Sequence, residues 1–242
     1  MSPVRESVVA MTPLDIQREL DNPFWSSLAT RHADIAQGGT LARRYPPAIS
    51  PIAGLPGVGP ANIAALEALV EIDDDIGTAG PFVPALPGNW ETLDESRLTQ
   101  MIRIDASPLP EGDVDTSVLG ARDVAEILAL IELTKPGPFR SRTIELGTYI
   151  GIREGGRLVA MAGERTWVGD FREVSAVCTH PDAQGRGYAR ALMGRVINRM
   201  LRAGQTPFLH VRSNNTQAID IYRGLGFVRR AEYPLLYAKR TS

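Results

Sequence analysis

The sequence predicts an α/β protein whose central sheet mixes strand directions, and three observations carry that class. From Val118 onward the apolar period changes in the order helix, strand, strand, strand, helix, strand, helix, strand. Two β-forming runs in TYIGIREGGRLVAMAGER meet at Glu154-Gly155-Gly156, which marks a hairpin. Ala189, Leu192, Met193, Val196, Ile197, Met200 and Leu201 then repeat at steps of three and one, which is one face of a helix over three turns.

The first hundred residues are less regular. Pro46, Pro47, Pro51, Pro56 and Pro60 interrupt RYPPAISPIAGLPGVGP. Short helices are expected at Leu14–Leu20 and Phe24–Ala36, with Asn22-Pro23 as N-cap and first-turn proline. Another is expected at Ala61–Val70, where Ile63, Leu66, Leu69 and Val70 share a stripe. Arg97–Ile104 reads as a strand, and Ser107–Val118 as a polar, proline-bearing connection. Val124, Ile127, Leu128, Ile131 and Leu133 make a helix that KPGPF ends. After the hairpin, FREVSAVCT is a strand leading into HPDAQGRGYA, and Gly204 stops the long helix. TPFLHVR is a strand, NNTQAIDIYRGL a helix capped by an asparagine, and YPLLYAK the last strand.

Composition narrows the function classes. The 242 residues are 43% hydrophobic and 22% charged, as expected of a globular protein. No apolar run approaches the roughly 18–20 residues that cross a bilayer. The N-terminal stretch carries acids and lacks a secretory apolar core, so a cytoplasmic enzyme away from membranes is expected. Net charge is −2, which argues against a general nucleic-acid binder. LPGVGPANIAAL resembles the hairpin of a helix-hairpin-helix DNA module. Prolines occupy the place of its first helix, however, and acids follow its second. Cys178 is the sole cysteine, and His32, His180 and His210 show no metal-ligand spacing, so no metal site is expected.

The chemistry lies in the turn Gln184-Gly185-Arg186-Gly187-Tyr188-Ala189. The first N–H groups of a helix have no partner inside it, and the helix dipole adds about half a positive charge there. Glycines leave that backbone open to a phosphate or diphosphate; equally, they permit a tight strand-to-helix turn. A nucleotide P-loop needs Lys-Ser/Thr where this chain has Tyr188-Ala189. A dinucleotide fingerprint needs a third glycine and an acid about twenty residues on, near which Gln205 stands.

QGRGYA matches the turn Q/R-x-x-G-x-G/A of the GNAT superfamily of N-acyltransferases. Asn215 to Phe227 (NTQAIDIYRGLGF) resembles that family's second signature, N-x-x-A-x-x-x-Y-x-x-x-G-F. The resemblance covers about Val118 to Arg240. VSAVCTHPDAQGRGYA looks most like the branch that includes glycine N-acyltransferase-like proteins. It implies a mixed, mostly antiparallel sheet splayed at its fourth strand and flanked by helices, with residues 106–242 as the catalytic domain. Residues 1–105 then read as a degenerate GNAT-like half that completes the core and shapes the acceptor pocket.

The resemblance also implies roles. Acetyl-CoA is the expected cosubstrate, with its diphosphate on Gln184, Gly185, Arg186, Gly187, Tyr188 and Ala189. Arg190 is a further phosphate candidate, and Asn215 lies near the cofactor. The pantetheine arm is expected along Val177, Cys178 and Thr179. Tyr222 is the candidate general acid, since a phenol (pKa ~10) can share a proton with a thiolate; it could also merely pack. Glu173 is the candidate base; it could equally be solvated or paired with Arg165 or Arg172. Alternation places Glu173, Ser175, Val177 and Thr179 on one face. Cys178 reads as a small buried hydrophobe rather than a nucleophile. The expected partner is a small-molecule or peptide amine, with a homodimer allowed; the competing reading is a non-catalytic CoA-binding or regulatory module.

Overall fold

The computed structural model describes residues 18–242. Pro23 opens α1 (Pro23–Ala29), where its fixed φ suits the first helical position and its missing N–H leaves no donor unpaired. A small three-stranded sheet follows, made of β1 (Gln37–Gly38), β2 (Arg43–Arg44) and β3 (Ala53–Gly54). Next come α2 (Pro60–Leu69), β4 (Asp75–Ala79), β5 (Trp90–Ile102), β6 (Ser117–Val118), α3 (Val124–Thr134) and β7 (Tyr149–Glu154). The chain continues through β8 (Arg157–Val168), β9 (Phe171–Thr179), α4 (Tyr188–Arg202), β10 (Thr206–Arg212), α5 (Thr216–Arg223) and β11 (Val228–Arg240).

Eight strands form one sheet in the order β4-β11-β5-β10-β9-β8-β7-β6. β9 and β10 run parallel, and the other neighbours are antiparallel. The expected mixed, mostly antiparallel sheet flanked by helices is therefore present. Gly155 (φ +55°) and Gly156 (φ +85°) make the β7–β8 turn, where two successive positive φ values match the right-handed strand twist.

The sheet is covered on both faces. From α4, Leu192, Met193, Val196, Ile197 and Met200 are buried against Ala160, Ala162 and Val174. Burying a side chain of this size contributes about 1.5–3 kcal/mol, so the stripe supplies on the order of 10 kcal/mol before ordering entropy is subtracted. On the opposite face, Ile127, Leu130 and Ile131 of α3 pack on Met161 and Cys178.

Several sequence expectations change on folding. Leu14–Leu20 falls largely outside the described residues, and Arg18–Asp21 form a single 3-10 turn. The helix expected to reach Ala36 ends at Ala29. β5 begins at Trp90, because β11 pairs with it from Val228↔Ile102 to Arg240↔Trp90. The Ser107–Val118 connection is a strap held onto α4. Asn198 accepts from Leu109 N and donates to Leu109 O, both at 2.8 Å, while Gly194 lets Pro110 O approach where a Cβ would stand 2.3 Å away. The ranges 1–105 and 106–242 share one sheet, with β5 of the first seated between β10 and β11 of the second.

Candidate active site

The parallel pairing of β9 with β10 is short: Thr206↔Phe171, Pro207↔Arg172 and Phe208↔Glu173. Beyond Glu173 the strands part, each still held by its other neighbour, β8 for β9 and β5 for β10. Ala176 carries φ +53°, and the β8–β9 register shifts between the Met161 and Gly163 pairs. An extra residue of this kind bends its strand. It also corrects the alternation expected from sequence. Val174 and Val177 both pack toward α4, whereas Ala176 and Cys178 pack toward α3.

Two adjoining cavities occupy the gap. The first, about 530 Å³, runs along Val174–Thr179 to His210, Arg212, Asn215 and Tyr222. The second, about 470 Å³, is lined by Gly185, Gly187, Tyr188, Ala189 and Arg190. Val177, Cys178, Thr179, Gln184, Ala218 and Tyr222 border both, so the two form one cleft.

At the second cavity Gly185 (φ +76°) and Gly187 (φ +80°) adopt left-handed backbone, and a Cβ on either meets no atom within 4 Å. The turn therefore needs glycine for its conformation, and its outer side is open. Among the described residues, no acceptor pairs with the main-chain N–H of Gly185, Arg186, Gly187, Tyr188 or Ala189. Thr179 Oγ1 is buried without a partner at the border of both cavities. Successive unpaired main-chain donors and an orphaned hydroxyl fit an extended ligand with an anionic end.

The side chains sort differently from the backbone. Arg186 is turned away from the cleft, donating to Glu154 Oε1 (2.7 Å) and Asp182 O (2.9 Å). The Tyr188 hydroxyl donates to the same Glu154 carboxylate. Arg190 lines the second cavity and has no acidic partner among the described residues. Asn215 Oδ1 accepts from Ala218 N at 3.1 Å, so it caps α5 while lining the first cavity. The half-buried Tyr222 sits where the cavities meet, its ring edge-on to Phe227, and its hydroxyl has no protein partner among the described residues. Burial pushes its pKa up to about 12, so the phenol is fully protonated near neutral pH but a weaker acid than the ~10 expected from sequence. Burial likewise raises the Cys178 thiol to about 11, which leaves it inert as a nucleophile near neutral pH.

Glu173 does not occupy a base's position. Its carboxylate is fully buried and lines neither cavity. Oε1 accepts from Arg165 Nη2 (2.8 Å) and His210 Nδ1 (2.8 Å), and Oε2 from Arg165 Nε (3.0 Å) and Thr166 N (3.2 Å). Burial favours its protonation, but the Arg165 charge and the His210 and Arg165 hydrogen bonds prevail and hold its pKa well below the usual carboxylate range. Of the alternatives left open by sequence, pairing with Arg165 is the one found. Arg172 instead meets Glu164.

His210, which spacing did not single out, lines the first cavity. Gln100 Oε1 accepts from Arg230 (2.9 Å), which turns the Gln100 amide nitrogen toward His210 Nε2 at 3.1 Å. With Nδ1 on the Glu173 carboxylate and Nε2 facing the Gln100 amide nitrogen, both ring nitrogens of His210 are engaged. The signal that could have found it is strand register: His210 pairs with Gln100 across β10–β5.

Residues 149–235 match the family described as FR47-like protein. The N-alpha-acetyltransferase RimI of Mycobacterium tuberculosis is 36% identical over 85 residues, 34% of this chain and 52% of that protein. The uncharacterized protein ML0378 of Mycobacterium leprae is 27% identical over 208 residues, 79% of this chain and 56% of that protein. The chain thus spans little more than half the length of these curated relatives. A solved GNAT-family structure from Novosphingobium aromaticivorans superposes with a TM-score of 0.84 at 34% identity, over 93% of this chain and all of that one. The glycine N-acyltransferase-like branch gains no support from these relatives.

Proposed function

The chain belongs to the GNAT family of acetyltransferases, and from that premise we propose that it transfers the acetyl group of acetyl-CoA to an amine by direct attack in a ternary complex. One observation supports this reading above the others: the cleft is continuous from the free amides of the glycine turn, past the unpaired edge of β9, to the Tyr222 hydroxyl.

Each part of the chain then has a task. The N–H groups of Gly185 to Ala189 hold the diphosphate, assisted by Arg190. The β9 edge beyond Glu173 offers main-chain groups to the pantetheine amides. An N–H from this stretch facing the thioester oxygen stabilises the charge that develops there, a contribution of about 3 kcal/mol for such a donor. As the amine nitrogen bonds to the carbonyl carbon and the carbon–sulfur bond breaks, Tyr222 gives its proton to sulfur and recovers one from solvent. Among the described residues no Asp or Glu lines the first cavity, and both ring nitrogens of His210 are engaged by Gln100 and Glu173. The amine's own proton therefore leaves to water. Holding both reactants in one cleft supplies much of the rate.

The N-terminal half contributes directly. Phe24, Ile52 and Leu98 form an apolar wall of the first cavity, and Gln100 fixes His210. We read residues 1–105 as a degenerate half-copy kept for this purpose, in a cytoplasmic enzyme acting on a small-molecule or peptide amine. Calorimetry with CoA and acetyl-CoA, together with thiol release on a panel of amines, tests the proposal. Absence of binding at millimolar concentration removes it.

A further inference from the structure

The first cavity discriminates by charge. Its walls include Lys135, Arg165 and Arg212 but no carboxylate among the described residues. At the rim, Lys135 lies 3.9 Å from Glu132, and Arg212 pairs with Asp94 at 2.8 Å. Those two charges are therefore partly offset and well solvated. Arg165 differs. It is 9% exposed, and Glu173 takes only its Nε and Nη2. Nη1 has no partner among the described residues and is not one of the fully buried unpaired atoms, and Arg165 lines the cavity. Tyr237 lines the same cavity, and its hydroxyl is likewise without a protein acceptor there. Around these donors stand Phe24, Ile52, Leu98 and Leu235.

A guanidinium and a phenol with unclaimed donors, lining a cavity beside apolar side chains, suit one kind of guest: a carboxylate attached to an apolar body. Resting on the acetyltransferase reading, we propose that the acceptor is a small amine carrying a carboxylate and an apolar side group, an amino-acid-like molecule whose carboxylate is received by Arg165 Nη1. A polycationic amine meets the opposite situation, since among the described residues three cations and no acid line the cavity.

The test compares matched acceptors on the wild-type chain: leucine, its carboxamide, its decarboxylated amine, a leucine-initiated tripeptide and spermidine, with thiol release from acetyl-CoA as readout. A hydrogen bond between charged groups implies a kcat/KM for leucine roughly tenfold to hundredfold above the carboxamide and the amine, with spermidine lowest. Calorimetry of N-acetyl-leucine against its amide, in the presence of CoA, should show the same order without turnover. Arg165→Lys keeps a cation for Glu173 but lacks the second edge of the fork, so it should raise KM for leucine and erase the preference over the carboxamide. Equal or better use of the carboxamide, the tripeptide or spermidine overturns the proposal. So does failure of the carboxylate acceptor with protein that binds acetyl-CoA. Failure to bind acetyl-CoA at all instead removes the underlying transferase reading.

Discussion

Gly187→Asn separates the two tasks open to the glycine turn. Gly187 caps α4 at φ +80°, and an added Cβ meets no atom within 4 Å, so a side chain there brings backbone strain without a clash. Left-handed backbone costs most residues about 1–2 kcal/mol, and asparagine tolerates it best. About 1 kcal/mol lowers Tm by about 2–4 °C in a chain of this size. The asparagine variant is therefore expected to fold, with Tm within about 4 °C of the parent, and Gly187→Val to lose more. Affinity for CoA responds to a different term. Gly187 lines the second cavity, so its new side chain stands where an anion approaches the free amides. Each hydrogen bond lost to a charged phosphate is worth about 1.5–3 kcal/mol, and one such loss weakens binding roughly tenfold to hundredfold. Calorimetry gives Kd and thermal unfolding gives Tm on the same samples. A near-parental Tm with an unchanged Kd refutes diphosphate binding at this turn and leaves the glycines a purely conformational role.

Tyr222→Phe should lower kcat while leaving KM for acetyl-CoA and Tm nearly unchanged; parental turnover at every pH removes the acid assignment. Glu173→Gln should destabilise by about 3–5 kcal/mol, because Arg165 stays buried without its counter-charge. A stable, inactive variant would instead restore Glu173 as a base. On the proposal that the amine's proton leaves to water, log(kcat/KM) should climb with pH until the acceptor's own pKa is reached; a plateau beginning near pH 6–7 contradicts it. Burial first, then the Arg172 charge, lowers His32 to about 4, with Glu173 opposing. The unfolded chain takes that proton near pH 6.5, so stability should fall by up to about 3 kcal/mol as pH drops from about 6.5 to about 4. Urea unfolding at both ends of that range checks it, with His32→Gln expected to flatten the slope.

Elements defined by local pattern were legible in the sequence. α4 announces itself through its three-and-one spacing, the β7–β8 turn through Gly155-Gly156, and the cap of α5 through Asn215. The glycine turn and Tyr222 were legible as motifs. What escaped depends on distant residues. The first part of β5, WETLDESR, is polar and largely exposed, so only pairing with β11 makes it a strand. The extra residue at Ala176 leaves no mark in FREVSAVCT, yet it decides which side chains enter the cleft. Glu173 and His210 read as isolated polar residues until the short parallel contact of β9 with β10 brings them within 2.8 Å.

The place of β5 governs how this protein can be born. Its two partners, β10 and β11, are translated roughly a hundred residues after it. A polypeptide leaving the ribosome must carry β5 with both edges bare until β10 and β11 have emerged, since pairings between remote segments form slowly. Maturation is thus expected to be a late, all-at-once event. A nascent chain released just before β11 should aggregate or call on chaperones instead of yielding a half-active fragment.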